Sequence, residues 1–159
     1  MQIETPPTEK RYERPTGERR GLILVHTGDG KGKSTAAFGL ALRAFGRRHV
    51  HGKQVRVFQF MKVPSARFGD VWQQARAAIL DGAHFLVVLD EITYPLIYGW
   101  LPLDDVLQTL RERPRDVHVC LTGRRCPPEL IEIADTVTEM QLVKHAFKAG
   151  VPAQRGIED

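Results

Sequence analysis

Thr27-Gly28-Asp29-Gly30-Lys31-Gly32-Lys33-Ser34-Thr35 follows directly on the apolar run Gly21-Leu22-Ile23-Leu24-Val25-His26. The run is short and branched enough for a buried strand, and glycines break it at once. From Ser34 onward, Ala37, Leu40, Ala41, Ala44 and Phe45 recur with helical periodicity, which predicts a helix ending at Gly46. A strand, a glycine-rich loop and Gly-Lys-Ser opening a helix are the context in which a backbone loop cradles phosphate. Glycines let successive N–H groups turn toward one anion, and the helix N-terminus adds partial positive charge. On this reading residues 27–35 wrap a polyphosphate, Lys33 neutralises it, and Ser34 ligates Mg2+ or Mn2+. Thr27 stands where the usual G-x-x-x-x-G-K-[ST] pattern has its first glycine. The competing reading is a turn that only caps the helix with Ser34 as N-cap, for which three glycines and Lys33 would be a costly choice.

Outward from this loop, strands and helices alternate. Val55 to Phe60 reads as a strand, Val71 to Leu80 as a helix with Val71, Ala75 and Ile79 stacked, and Phe85 to Leu89 as a third strand. Leu103, Val106, Leu107 and Leu110 form an amphipathic helix opened by Pro102. Val117 to Thr122 is a strand, Pro128 to Ala134 a short helix, and Thr136 to Met140 a last strand. The predicted class is α/β, a parallel sheet of about five strands with helices on both faces, of the P-loop NTPase (RecA-like) kind. Val87-Val88-Leu89-Asp90-Glu91 places two carboxylates at a strand's C-terminal end, where open α/β sheets bind ligands, so Asp90 and Glu91 are the metal-site candidates. The alternative for that pair is a strand end capping its own turn. In a nucleotide hydrolase Glu91 would orient an attacking water, so these residues alone do not separate hydrolysis from another displacement at ATP.

The chain has 159 residues, of which 42% are hydrophobic and 26% charged, an ordinary balance for one domain. Residues 1–20 interleave Lys10, Arg11, Arg14, Arg19 and Arg20 with Glu4, Glu9, Glu13 and Glu18 and offer little to bury, which predicts a flexible charged arm before a domain at 21–159. Cys120 and Cys126 lack metal-ligand spacing and read as reduced thiols. No apolar run approaches the ~20 residues of a membrane span, and the N-terminus lacks a signal-like core, so the expected location is cytoplasmic. The net charge of +4 suits a polyphosphate or a nucleic acid, but no aromatic platform or recognition helix supports the latter. His49 and His51, in the basic stretch 47–52, read as part of a solvent-facing loop rather than as metal ligands.

Several ordered motifs resemble the P-loop ATP:corrinoid adenosyltransferase family. They are the 27–37 loop with its missing first glycine, Arg43, Val57-Phe58-Gln59-Phe60, Leu89-Asp90-Glu91-Ile92-Thr93-Tyr94, Leu101-Pro102-Leu103 and Leu121-Thr122-Gly123-Arg124. They continue with Ala134 to Glu139, and with Val143-Lys144-His145-Ala146-Phe147 before Gly150-Val151. The resemblance implies attack by the Co(I) of cobalamin or of cobyrinic acid diamide on the ribose 5′ carbon of ATP, with triphosphate leaving. It implies Lys33, Glu91 and Arg43 in catalysis, and Thr27, Gly28, Asp29, Gly30, Lys31, Gly32, Ser34, Thr35 and Arg124 around an inverted nucleotide. It also implies Ser34 with Glu91 at the metal, a flavodoxin-type reductant and a homodimer.

One departure stands out. Between residues 61–69 and Asp70-Val71-Trp72 the family carries a few dozen further residues, with a strand and a Gly-Phe-x-Trp segment whose aromatics crowd the corrin. Phe68 and Trp72 are the nearby aromatics, and Trp72 lies at core spacing with Ala75 and Ile79. The alternatives to adenosyl transfer are therefore a shortened ATP-binding or regulatory relative, or a P-loop ATPase.

Overall fold

The computed structural model describes residues 15–157. The strands are β1 (Ile23–Thr27), β2 (Gln54–Gln59), β3 (His84–Asp90), β4 (His118–Thr122) and β5 (Thr136–Glu139). The helices are α1 (Lys33–Gly46), α2 (Arg48–His51), α3 (Phe68–Leu80), α4 (Thr93–Ile97), α5 (Leu103–Glu112) and α6 (Pro128–Ile133). All strand pairs are parallel, in the order β2-β3-β4-β1-β5. The loop-bearing strand β1 and the carboxylate-bearing strand β3 are thus separated by β4 alone.

Alternate residues of the central strands enter two apolar layers. Ile23, Val25, Val87, Leu89, Val119 and Leu121 pack with the α3 and α5 side chains on one face. Leu86, Val88 and Cys120 meet Ala37, Ala41 and Ala44 of α1 on the other, where alanines let the helix lie close to the sheet. Burial of both faces is what a parallel sheet demands. Trp72 and Phe68 both belong to this core, 1% and 3% exposed, and the Trp72 indole donates to the Asp105 carboxylate at 2.5 Å. Their rings are filling space, so neither presents a face to a ligand.

Some boundaries differ from the sequence reading. Phe45 is half exposed, with the Arg48 guanidinium 4.9 Å over its ring, because the buried stripe of α1 is narrow and is filled by alanines alone. Residues 48–51 form a short helix where a loop was expected, and the ring of His51 stacks on Phe85 at 4.0 Å and 7°. The helix α4 lacks a clear sequence period because it is only one turn long. Most of the expected N-terminal arm, residues 1–14, lies outside the described residues. Of its remainder, Arg20 pairs with Asp135 and Glu18 with Arg115, which ties this end of the arm to the domain.

Candidate active site

The loop from Gly28 to Gly32 rises from the C-terminal end of β1 and returns into α1. Thr27 is the last residue of β1, and its hydroxyl accepts the Cys126 N–H at 3.2 Å. Its backbone carbonyl accepts the Met140 N–H at 2.9 Å. The absent first glycine therefore has a local reason, since this position is strand and anchors two neighbouring segments. A Cβ on Gly28 would lie 2.5 Å from the Met140 carbonyl oxygen, and one on Gly30 would lie 2.6 Å from that of Gln141. These two glycines serve close packing of the loop on the end of β5, which Gly30 N–H reinforces by donating to Met140 at 2.6 Å.

Gly32, in the left-handed region, caps α1, and no side chain satisfies that helix end. Ser34 lies inside the helix, so it is not the N-cap of the competing reading. The first-turn N–H groups are left for an anion. Lys33 is buried, 6% exposed, and its Nζ donates to the Gly30 carbonyl at 2.6 Å. Burial lowers its pKa, as does the nearby Arg124, while Glu91 and Asp29 pull the other way. This ammonium has lost water and gained little negative charge, a state that an incoming phosphate would relieve.

Across β4 stand the two carboxylates. Thr122 at the end of β4 donates its hydroxyl to Asp90 Oδ1 at 2.7 Å and accepts the Glu91 N–H at 2.9 Å. Asp90 is almost wholly buried, and Gln59 Nε2 lies at 3.5 Å from its other oxygen. Glu91 has φ 59°, a conformation few residues without glycine's freedom adopt, and the Thr122 bond helps hold it there. Its pKa is raised, first by burial and then by Asp90, with Lys33 and Arg124 opposing. Such strain and charge crowding collect where a ligand is to be bound.

Gly30, Lys33, Ser34, Thr35, Glu91 and Arg124 line one cavity of about 560 Å3, together with Lys31 and Gly32. An adjoining cavity of about 460 Å3 shares Ser34, Thr35 and Glu91 and adds Asp90, Gln59 and Met61. Asp29 joins Glu91 and Arg124 in a third, of about 280 Å3. The sequence-derived residues thus converge, with three qualifications. Thr27 and Gly28 lie beneath the cradle rather than in its wall. Asp90 is engaged by Thr122. Arg43 sits about 15 Å further along α1 from Lys33 and lines a separate depression with Leu24, His26 and Leu40. Sequence reasoning gave no role to Thr122, whose signal is only a hydroxyl at a strand end, or to Met140 and Gln141, which act through backbone atoms.

The family model described as ATP:corrinoid adenosyltransferase BtuR/CobO/CobP matches residues 19–71 and 64–158. The chain belongs to the ATP:corrinoid adenosyltransferase family. It is 41% identical over 174 positions to the corrinoid adenosyltransferase of Escherichia coli K12, covering 89% of this chain and 87% of the relative. It is 40% identical to corrinoid adenosyltransferase CobA of Salmonella typhimurium LT2, with the same coverage. With the corrinoid adenosyltransferase of Pseudomonas aeruginosa PAO1 it shares 41% over 176 positions, covering 89% and 85%. The 174 aligned positions exceed 89% of 159 residues by about thirty, so the adenosyltransferase from E. coli has a segment this chain lacks. The two family matches overlap at 64–71 and place that gap where α3 begins. Here a short helical turn at Ser65–Arg67 closes the connection instead, a surface shortening that a βαβ crossover tolerates.

Proposed function

We propose that this chain transfers the 5′-deoxyadenosyl group of ATP to the Co(I) centre of a corrinoid and releases inorganic triphosphate. The observation that carries the reading is the convergence of the loop 30–35, Lys33, Glu91 and Arg124 on one cavity in a member of the adenosyltransferase family. In the transfer the cobalt electron pair forms the Co–C bond as the C5′–O bond breaks, and the electrons leave with triphosphate. Co(I) is already a strong nucleophile, so the site needs no general base, and neither Cys120 nor Cys126 is suited to act as one. Both are buried, their thiols pushed up to about 12 and about 11.

What the leaving group needs is charge stabilisation fixed in advance. The amides opening α1 and the Lys33 ammonium supply it, and Arg124 adds an exposed positive charge at the rim. The hydroxyl of Ser34 and the carboxylate of Glu91 line the same cavity, and this hard-oxygen pair would hold Mg2+ or Mn2+. Such an ion, when bound, neutralises part of the triphosphate charge. Asp90 positions Glu91 through Thr122.

The family resemblance further supports cobalamin or cobyrinic acid diamide as acceptor, a flavodoxin-type donor for reduction of Co(II), a homodimer and a cytoplasmic location. No helix among the described residues is long and apolar enough to cross a membrane. Residues 21–159 act as one P-loop domain in this reading.

The test is product identity. With ATP, magnesium and chemically reduced cobalamin, the expected products are triphosphate and a light-sensitive Co–C bond. Orthophosphate without that bond would indicate an ATPase, and retained ATP binding without turnover would indicate a shortened regulatory relative.

A further inference from the structure

A cavity of about 610 Å3 lies at the opposite end of the sheet from the phosphate loop. Leu22 immediately precedes β1, Phe85 is the second residue of β3 and His118 the first of β4, and all three line it. Five residues separate Leu22 from Thr27, which at strand rise is about 17 Å. The exposed Arg19 and Arg47, the latter the C-cap of α1, line the cavity as well. Its volume is that of a small-molecule site.

Three rings build one wall. His51 stacks on Phe85 at 4.0 Å, and Phe85 meets His118 at 4.6 Å. Hydrogen bonds fix both imidazoles. His51 Nε2 donates to the Ala44 carbonyl at 2.9 Å while its Nδ1 accepts the Lys53 N–H at 3.0 Å, so both of its nitrogens are satisfied. His118 Nδ1 accepts the Leu22 N–H at 3.1 Å, which puts the ring proton on Nε2. Burial, and then the charge of Arg113, lowers the His118 pKa and favours that neutral ring. Its Nε2–H meets no acceptor among the described residues. The surrounding charges are unevenly paired. Arg20 is bound to Asp135, Glu18 to Arg115 and Asp116 to Lys53, whereas Arg19 and Arg47 have no acidic partner among the described residues.

We propose that this cavity is a second binding site, for a small organic carboxylate with a flat apolar body. The body lies against Leu22, Val50 and the three rings, and the carboxylate takes the His118 Nε2–H and the Arg19 and Arg47 guanidinium groups. Apolar walls with a few convergent donors give such a site its affinity and its selectivity respectively. The site is independent of adenosyl transfer, since none of these residues lines the cavities around Lys33 and Glu91.

The probe is 2-naphthoate, titrated calorimetrically into the full chain with and without saturating Mg-ATP, and compared with its uncharged counterpart 2-naphthalenemethanol. A variant carrying both Arg19→Gln and Arg47→Gln is titrated alongside, and histidine-labelled unaltered protein is followed by NMR without nucleotide. The expected result is one-to-one binding of naphthoate with a Kd of about 1 mM or tighter, unaffected by Mg-ATP. It should be about tenfold tighter than that of the alcohol and weakened about fivefold or more in the double variant. The imidazole signals of His118 should shift while those of His26, beside the phosphate loop, stay in place. Absence of saturation, equal binding of the alcohol, or unchanged binding in the double variant overturns the proposal. Displacement by Mg-ATP, or shifts at His26 in place of His118, would put the probe in the nucleotide site and overturns it as well. The NMR arm decides the location even if the double variant loses stability.

Discussion

Thr122→Val removes one oxygen and almost no volume, yet that oxygen serves both carboxylate-bearing residues. Its hydroxyl donates to Asp90 and accepts from the Glu91 backbone, and Thr122 itself is 0% exposed, so water cannot replace it. The substitution leaves a buried Asp90 carboxylate oxygen and the half-buried Glu91 N–H without their partner. At about 1–3 kcal/mol for each orphaned group the cost is about 2–6 kcal/mol, since both groups remain in place. At about 2–4 °C per kcal/mol for a domain of this size, that corresponds to a fall in Tm of about 4–24 °C. It also releases Glu91 from its left-handed conformation, so Mg-ATP affinity falls with stability. Thr122→Ser is the control, because it keeps the hydroxyl and loses only a methyl group. Thermal unfolding with and without Mg-ATP reads both effects. A Tm for Thr122→Val within about 2 °C of the unaltered protein, with unchanged Mg-ATP affinity, would refute the assignment of Thr122 as the link between β4 and the two acids.

Two further outcomes follow from the same geometry. Glu91 has a pKa raised above its ordinary 4.5 by burial and by Asp90. Its ionised form therefore weakens the ligand-free fold as pH rises from the unfolded value through the raised folded one. Glu91→Gln should have the higher ligand-free Tm at pH 7, with the gap closing as pH falls toward 4.5, while Mg-dependent ATP binding is lost. A gap that stays constant across this range would contradict the shift. Gly30→Ala should weaken both the fold and ATP binding, by about 1–3 kcal/mol in stability, because its Cβ would meet the Gln141 and Met140 carbonyls. Chemical denaturation and ATP titration measure the two together, and an unaffected variant would show that the loop does not rest on the end of β5.

The order of strands and helices was legible because each central strand is buried on both faces and each long helix carries its own apolar stripe. The cradle was legible because glycines, Lys33 and Ser34 must be consecutive to do their work. What escaped the sequence acts across distance or through backbone. Thr122 reaches Asp90 and Glu91 only because β4 lies between β1 and β3. Met140 and Gln141 press on the loop with carbonyl groups that every residue has. Arg43 follows the motif on α1, while the depression it lines is formed with Leu24, His26 and Leu40 rather than with the loop residues. Trp72 was legible as core from its spacing with Ala75 and Ile79, and the structure buries it together with Phe68.

If residues 30–35 hold the triphosphate as a leaving group, with Lys33 as its principal charge, the triphosphate should bind without the adenosine. Inorganic triphosphate is therefore titrated, with magnesium, into the unaltered protein and into Lys33→Ala. Triphosphate alone should bind the unaltered protein, and Lys33→Ala should weaken it about a hundredfold, the loss of one buried charge-assisted contact of about 3 kcal/mol. A well-folded Lys33→Ala protein that binds triphosphate within about threefold of the unaltered protein would contradict that role.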